Sequence, residues 1–270
     1  MAHNLTETST FDADVEVPDS GDARTAASVE TPFQALANRT RWLFGAVSGL
    51  LIGRRRLYTA TAVSGIGVFV GGVDQLVIDD DVLSITDGTE APGSLPLASA
   101  NTWYYVYAYN NAGSVALQVS TDPPDASLTW KVSGDGTHRY IGTFRTDGSG
   151  NPIAFESEGG AYLWRTALSA RQPVAAQNPT TPTNGDFSAY APPHARLLRV
   201  HMNGIDTGGG AKTASLSKDG DSVVAVQLQI PSNTRVSMET EVPCSTAQVV
   251  DYQVSASDAN ITLSAMGWRE

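Results

Sequence analysis

The residue pattern at positions 103–109 predicts the β-strand around which the chain is organised. Its sequence, WYYVYAY, alternates between two faces with a period of two and consists of residues that favour strands. One face carries four aromatic side chains, Trp103, Tyr105, Tyr107 and Tyr109. Turn-forming Asn and Gly residues follow at 110–113. Further strands are predicted at 115–120, 128–132 and 139–145. These connections leave no room for a crossover helix, so we expect an antiparallel meander.

Short apolar runs between Gly, Asn and Asp turns predict strands along much of the remaining chain. Before the central strand they lie at 57–63, 67–70, 76–78 and 82–85. After the meander they lie at 153–155, 162–164, 197–202, 223–230, 235–238, 249–255 and 261–268. The proline-rich segment 169–186 indicates an extended linker. We therefore predict a mainly β fold with two antiparallel domains, 57–168 and 187–270, each a β-sandwich or partly closed barrel.

The N-terminal segment, residues 1–28, is polar and acidic. Seven acids stand against one base in residues 1–30, and few apolar side chains are available for burial. Two interpretations stay open for this segment. It is either a disordered tail or an extended arm that becomes ordered against a neighbouring subunit.

A helical pattern follows at residues 29–56. Thr31 can cap the helix N-terminus, and proline is tolerated next to it at the first helical position. Steps of three and four then separate Phe33, Leu36, Thr40, Leu43, Val47 and Leu50, and Phe44 widens this mainly apolar stripe. This stripe predicts an amphipathic helix that packs on its own β-domain or on copies of itself around a symmetry axis. A helix on a membrane surface is the third interpretation.

Composition narrows the classes of function. The chain has 28 acidic and 17 basic residues, and its net charge of −11 argues against non-specific binding of nucleic acid. Its single cysteine, Cys244, cannot form an intramolecular disulfide and is expected to be a small buried side chain. The most apolar run, 43–53, is shorter than the roughly 20 residues of a membrane span. The opening residues have no basic start or apolar run, so we expect no signal peptide.

The sequence contains no recognisable catalytic or metal-binding constellation. His194 and His201 lie seven residues apart but lack a carboxylate or thiol at metal-ligand spacing. The glycine-rich stretch 208–212 lacks the spacing of a phosphate loop and predicts a hairpin connection. The acidic and polar residues at 147–158 mimic a calcium loop, but Pro152 stands where that loop needs glycine. We therefore expect no enzyme activity, no cofactor and no metal.

Three stretches resemble the virion proteins of tailed bacteriophages. They are WYYVYAYN in the central strand, RYIGTFRTDGSGNPI at 139–153 and TPFQALANRTRWLF at 31–44, and the resemblance covers roughly residues 10–165. It implies a structural part of the tail, collar, fibre or capsid decoration, assembled in the host cytoplasm and located on the virion. It also implies a symmetric oligomer, with a trimer expected. Residues 1–56 are expected to contact other virion proteins.

The aromatic row of the central strand separates two hypotheses about function. If Trp103, Tyr105, Tyr107 and Tyr109 face solvent, they form a stacking platform for sugar rings, and the protein is a host-surface carbohydrate-binding adhesin or receptor-binding protein. If they face inward, they form a core or a subunit interface, as a structural protein requires. We expect the second arrangement, because the opposite face of the strand is also apolar. A polysaccharide-degrading enzyme is a third possibility, but it requires paired carboxylates that the sequence does not indicate.

Overall fold

The computed structural model describes residues 56–62, 65–71, 75–78, 81–86, 88–91, 99–128, 131 and 136–270. The arm predicted at 1–28 and the apolar stripe from Phe33 to Leu50 lie outside these residues, so both stay predictions. Within the described ranges the fold is mainly β, with antiparallel sheets, and its only helical element is a 3-10 turn at Leu168–Ala170. The mainly β, antiparallel class predicted from the sequence is confirmed.

Ten strands precede the 3-10 turn in the described part of the chain. They are β1 (Arg56–Ala62), β2 (Gly65–Gly71), β3 (Gln75–Ile78), β4 (Asp81–Ser84), β5 (Thr89–Glu90), β6 (Trp103–Asn111), β7 (Ser114–Ser120), β8 (His138–Arg145), β9 (Phe155–Glu158) and β10 (Ala161–Trp164). The central strand β6 pairs with β7 on one side and β8 on the other. The strand predicted at 128–132 does not form at its first residue, because Leu128 lies in a bend with a φ of 55°.

Eight strands follow the 3-10 turn. They are β11 (Val174–Gln177), β12 (Thr183–Asp186), β13 (Leu197–Asp206), β14 (Lys212–Lys218), β15 (Val226–Ile230), β16 (Arg235–Pro243), β17 (Val249–Val254) and β18 (Ala259–Arg269). One sheet has the order β11–β18–β13–β16, and the other has the order β12–β17–β14–β15. Strands β11 to β14 and β15 to β18 alternate between these two sheets, and β14 and β15 are neighbours in the same sheet, which is the order of a jelly roll.

The two sheets of the jelly roll pack face to face through alternating side chains. Along β13, the side chains of Leu198, Val200 and Met202 are buried, while their neighbours are partly exposed. A Cβ atom added to Gly204 of β13 would lie 2.6 Å from the Ile230 side chain of β15. Glycine at this position therefore allows the close approach of the facing sheet.

The segment predicted as a linker is part of both sheets. β11 pairs with β18 and β12 pairs with β17, so residues 169–186 contribute an edge strand to each side of the jelly roll. The three prolines, Pro173, Pro179 and Pro182, lie just outside these strands. Proline removes a backbone donor, but at the ends of edge strands that donor is not needed for the ladder. The proline-rich composition therefore did not prevent strand pairing.

The large sheet also crosses the predicted boundary between domains. The long strand β18 pairs with β11 near its start and with β10 near its end, where Tyr162 is opposite Trp268. From β10 the same sheet continues through β9, β1, β2 and β5, giving nine strands in the described residues. Strands from 57–168 and from 187–270 therefore share one hydrogen-bonded sheet, and the predicted division at the linker does not interrupt it.

Substitution of Gly267 tests the seam between β10 and β18. An added Cβ atom would lie 1.8 Å from the backbone oxygen of Tyr162, so Gly267→Ala must displace a paired strand. We expect this variant to lose about 1–3 kcal/mol of unfolding free energy, as overpacked cores do.

Gly209→Ala is the matched control for this measurement. Nothing lies within 4 Å of a Cβ atom added there, so its stability should stay within about 0.5 kcal/mol of the parent. Urea unfolding of both variants gives the comparison. Equal midpoints for Gly267→Ala and the parent protein would show that the seam does not constrain the fold.

Candidate functional site

The predicted aromatic row lies largely inside the protein. Tyr105 and Tyr107 expose 3% and 0% of their surface, and Trp103 and Tyr109 are half-buried. Tyr105 and Tyr107 form a buried cluster with Tyr140 of β8. The opposite face of β6 is also buried, since the side chains of Tyr104, Val106 and Ala108 belong to the main core. The four rings of the row therefore do not form an open platform for sugar stacking.

The hydroxyl of the buried Tyr107 is anchored by the turn that follows β7. Its hydroxyl donates a hydrogen bond of 2.7 Å to the backbone oxygen of Asp122. The ammonium group of Lys131 lies 5.8 Å from the Tyr107 ring and 3.4 Å from the Asp122 carboxylate. Burial raises the pKa of Tyr107 well above that of an exposed tyrosine, with smaller contributions from Tyr105 and Asp122. The phenol is thus held neutral, with its polar end bonded at the rim.

Trp103, at the start of the row, packs against residues of the large sheet. Its ring centroid lies 5.4 Å from that of Trp268 at an interplanar angle of 82°, and 6.2 Å from that of Trp164. Trp268 also stacks on Tyr162 with centroids 4.4 Å apart. We call these four residues, Trp103, Tyr162, Trp164 and Trp268, the tryptophan junction. It joins the three-stranded sheet to β10 and β18.

A buried polar cluster lies beside the tryptophan junction. The Tyr140 hydroxyl donates to Oε1 of Glu270 at 2.5 Å, and Nε2 of His194 is 2.9 Å from the same oxygen. The side chains of His194 and Glu270 are only 14% and 10% exposed. We call these three residues the polar latch. They come from β8, from the segment before β13 and from the residue after β18, so the latch also connects the three-stranded sheet to the jelly roll.

The polar latch affects the ionisation of the neighbouring tyrosines. The pKa of Tyr140 is raised well above its ordinary value, first by burial and then by the Glu270 charge. The same two causes, in the same order, raise the pKa of Tyr105 to about 12. His194 therefore acts here as a partner of a carboxylate and a phenol. His201 was considered with His194 as a metal ligand, but it lies in β13, opposite Glu239 of β16 on one side and Ser264 of β18 on the other.

The other residues considered for chemistry have structural roles. The Asp147 carboxylate accepts backbone hydrogen bonds from Ser149 and Asn151, as expected of a turn. The glycine-rich stretch 208–212 was predicted to be a hairpin connection, but β13 and β14 do not pair, so it connects the two sheets of the jelly roll and its last residue begins β14. Cys244 is buried, its thiol donates to the Ala195 backbone oxygen at 3.3 Å, and burial raises its pKa.

A charged groove lies on the face of the large sheet that points away from the jelly-roll core. It has a volume of about 560 Å³ and is lined by Arg56, Glu156, Ser157, Glu158, Gly159, Ala161, Leu163, Arg199 and Arg269. In the strand order, β10 forms its floor, with β18 and β13 on one side and β9 and β1 on the other. The first side carries Arg199 and Arg269, and the second carries Glu156 and Glu158 together with Arg56 of β1. Charges of both signs line the groove, so we call it the bipolar groove.

Ion pairs hold the charged side chains of the bipolar groove in position. Arg199 lies 3.4 Å from Glu239 and Arg269 lies 3.1 Å from Glu241, both across to β16. On the other side, Arg165 pairs with Glu156 and lowers the pKa of that carboxyl through a hydrogen bond. No local sequence pattern predicts this groove, because its lining comes from five strands spread between residues 56 and 269.

No protein-family model and no curated protein matches this chain. In the part of the chain that the structure describes, no group of three or more His, Cys, Asp or Glu side chains could hold a metal ion. No helix among those residues has the length and hydropathy needed to cross a bilayer. The proposals below therefore rest on the residues and their geometry.

Tyr107→Ala tests the structural role of the aromatic row. The substitution removes a fully buried ring, and such changes cost about 3–5 kcal/mol of unfolding free energy. Tyr109→Ala is the control from the same face of the strand, and its half-buried ring should cost less. Thermal melting of both variants measures the difference. An unchanged melting temperature in Tyr107→Ala would mean that the ring does not support the fold.

The buried tyrosines predict loss of stability in alkali. Burial raises the pKa of each phenol in a set of four, Tyr105, Tyr107, Tyr140 and Tyr162. In the unfolded chain the same phenols ionise near 10.0. The unfolded state therefore loses these protons first. Stability that is fully present below pH 10.0 should fall as the pH rises through this value towards the folded pKa values.

Parallel titrations by circular dichroism and tyrosinate absorbance check this expectation. The steepest increase in absorbance should coincide with the loss of β-structure, because unfolding releases the buried phenols. If all nine tyrosines of the chain ionise while the β-signal is intact, the phenols are more accessible than the structure indicates.

Proposed function

We propose that this protein is a non-enzymatic structural component of a bacteriophage or phage-like particle, in the tail, collar, fibre or capsid decoration. The observation that carries the proposal is the burial of the aromatic row. Tyr105 and Tyr107 are buried in the three-stranded sheet, and Trp103 packs against Trp164 and Trp268. The row therefore contributes to packing between sheets. Buried rings are expected of a structural protein, whereas a sugar-stacking platform requires rings that face solvent.

The continuity of the β-structure supports a role in transmitting or resisting force. The nine-stranded sheet, the tryptophan junction and the polar latch all link the region before residue 169 to the jelly roll. Backbone ladders and packed rings resist separation better than a flexible linker does. Jelly rolls also recur in viral capsid proteins.

In this proposal the N-terminal residues attach the protein to the particle. Residues 1–28 act as an arm. The helix predicted at 29–56 ends before Arg56, which begins β1, and contacts other virion proteins and further copies of this chain, with a trimer as the expected form. The β-structure then projects as two sandwich or partly closed barrel units, of which the second is the jelly roll. The protein is assembled in the host cytoplasm and stays on the virion.

A host-surface adhesin is the second candidate function. The bipolar groove favours it, because the groove is an open concave surface with both hydrogen-bond donors and acceptors. The aromatic row does not contribute to that surface. Both functions can occur in one protein, since a particle component can carry a binding site on its projecting part.

Labelling of particles tests the proposed function. Antibodies against residues 136–270 should decorate particles in electron micrographs at positions related by symmetry. Light scattering of the purified chain should give a small multiple of 28.4 kDa, with a trimer expected, and a monomer would contradict a preformed oligomer. A chain without residues 1–28 should keep its β-structure but be incorporated at least tenfold less, because the arm supplies the attachment. Truncated protein that is incorporated normally would place the attachment elsewhere, and absence of label from all particles would exclude a virion role.

A further inference from the structure

We propose that the bipolar groove is a binding site for a hydroxyl-rich glycan chain. This site goes beyond the structural role proposed above and names the ligand class for the adhesin candidate. The groove is formed by the outward face of five neighbouring strands, β13, β18, β10, β9 and β1. Its volume of about 560 Å³ falls within the range of ligand pockets, roughly 300–1,000 Å³.

The floor of the groove is a rigid, weakly polar surface. Ala161 and Leu163 face the groove from β10, while the alternate residues Tyr162 and Trp164 point into the tryptophan junction. The backbone of β10 is paired on both sides, with β9 and with β18. The floor therefore changes little in shape when a ligand binds, and its two aliphatic side chains can cover the C–H face of a sugar ring.

The arginine side of the groove supplies oriented hydrogen-bond donors. Arg199 and Arg269 are each held by a glutamate of β16, at 3.4 and 3.1 Å. A guanidinium group has five N–H donors, so one such contact leaves other donors directed at the groove or at solvent. Because the ion pairs already restrict these long side chains, less conformational entropy is lost when a ligand binds.

The glutamate side supplies oriented acceptors. Glu156 is held by Arg165, and the positive charge of Arg56 lies close enough to favour its ionised form. Glu158 lines the same side of the groove. A carboxylate has about four acceptor positions, so Glu156 can bind ligand hydroxyls while it is paired. The glutamate side therefore combines acceptors with the donors of Arg56, and Arg199 and Arg269 add donors across the floor.

This distribution of charge selects the class of ligand. Arg199 and Arg269 are compensated by Glu239 and Glu241, and Glu156 is compensated by Arg165, so the groove has no excess of either sign that would attract a polyanion or a polycation. A hydroxyl group both donates and accepts hydrogen bonds, so a chain of sugar rings can satisfy the two sides at once. A neutral or zwitterionic glycan is thus favoured over either type of highly charged polymer.

A peptide partner fits the groove less well than a glycan. A peptide commonly binds by adding a strand to a free sheet edge, but the floor strand β10 is paired on both sides. Peptide and protein interfaces also depend on deep apolar pockets for large anchoring side chains. In this groove the floor offers Ala161 and Leu163 as a shallow surface instead.

Binding to an array of bacterial surface polysaccharides tests the site with the full chain. The array should include neutral, zwitterionic and anionic polysaccharides, with heparin as a polyanion and an alternating Arg/Glu peptide as further probes. We expect binding to at least one neutral or zwitterionic polysaccharide. Arg199→Gln should weaken it at least tenfold, and so should Ala161→Trp, which fills the floor. Arg235→Ala removes an exposed arginine of β16 outside the groove lining and should change the Kd by less than twofold.

The other outcomes would overturn the proposal. They are the absence of binding to every polysaccharide, binding unaffected by both groove variants, binding only to heparin that disappears at physiological salt, and binding only to the peptide. Melting curves show that each variant is folded, and two chemically different groove variants guard against one that misfolds. Particle labelling is independent of this measurement, because groove variants with intact N-terminal residues should still be incorporated. A negative result in the glycan-binding experiment therefore does not contradict the proposed structural role.

Discussion

The edge-to-face contact between Trp103 and Trp268 is the interaction on which the remaining packing depends. Trp103 belongs to the three-stranded sheet, and Trp268 belongs to the longest strand of the nine-stranded sheet. Aromatic pairs contribute about 0.5–1.5 kcal/mol beyond the burial of their area. Trp268 also stacks on Tyr162, so each ring of this group restrains a different strand. A shift in the register of β6, β10 or β18 would therefore disturb both sheets at once.

The polar atoms of Trp103, Trp164 and Tyr162 set the orientation of these three rings. The indole nitrogen of Trp103 donates to the backbone oxygen of Ser188 at 3.1 Å, and that of Trp164 donates to the backbone oxygen of Tyr190 at 3.0 Å. The Tyr162 hydroxyl accepts a hydrogen bond of 3.1 Å from the backbone N–H of Thr143 in β8. A buried polar group without a partner costs about 1–3 kcal/mol, so each bond disfavours other ring positions. The segment 187–190 is held against β6 and β10 for the same reason.

Local patterns predicted many of the strands but little of their pairing. Alternation in WYYVYAY located β6 because its residue types favour strands on both faces. β14, with the sequence KTASLSK, was not predicted, because it contains only one large apolar side chain. The pairing of β10 with β18 joins residues about a hundred positions apart, and no local pattern encodes it. The aromatic row could be predicted from the sequence because it lies within one strand. The bipolar groove could not, because five strands form it.

The same alternation that buries one face of β10 makes its other face a suitable floor for recognition. Tyr162 and Trp164 pack against Trp268 on the buried face of the strand. Ala161 and Leu163 are therefore presented on a backbone that cannot shift without disturbing this packing. The arginines and glutamates beside them are restrained by ion pairs that are individually weak at a surface, about 0–1 kcal/mol each. Such pairs add little stability, but they reduce the number of side-chain positions available before a ligand binds. A scaffold built for rigidity therefore supplies the pre-organisation that a binding surface requires.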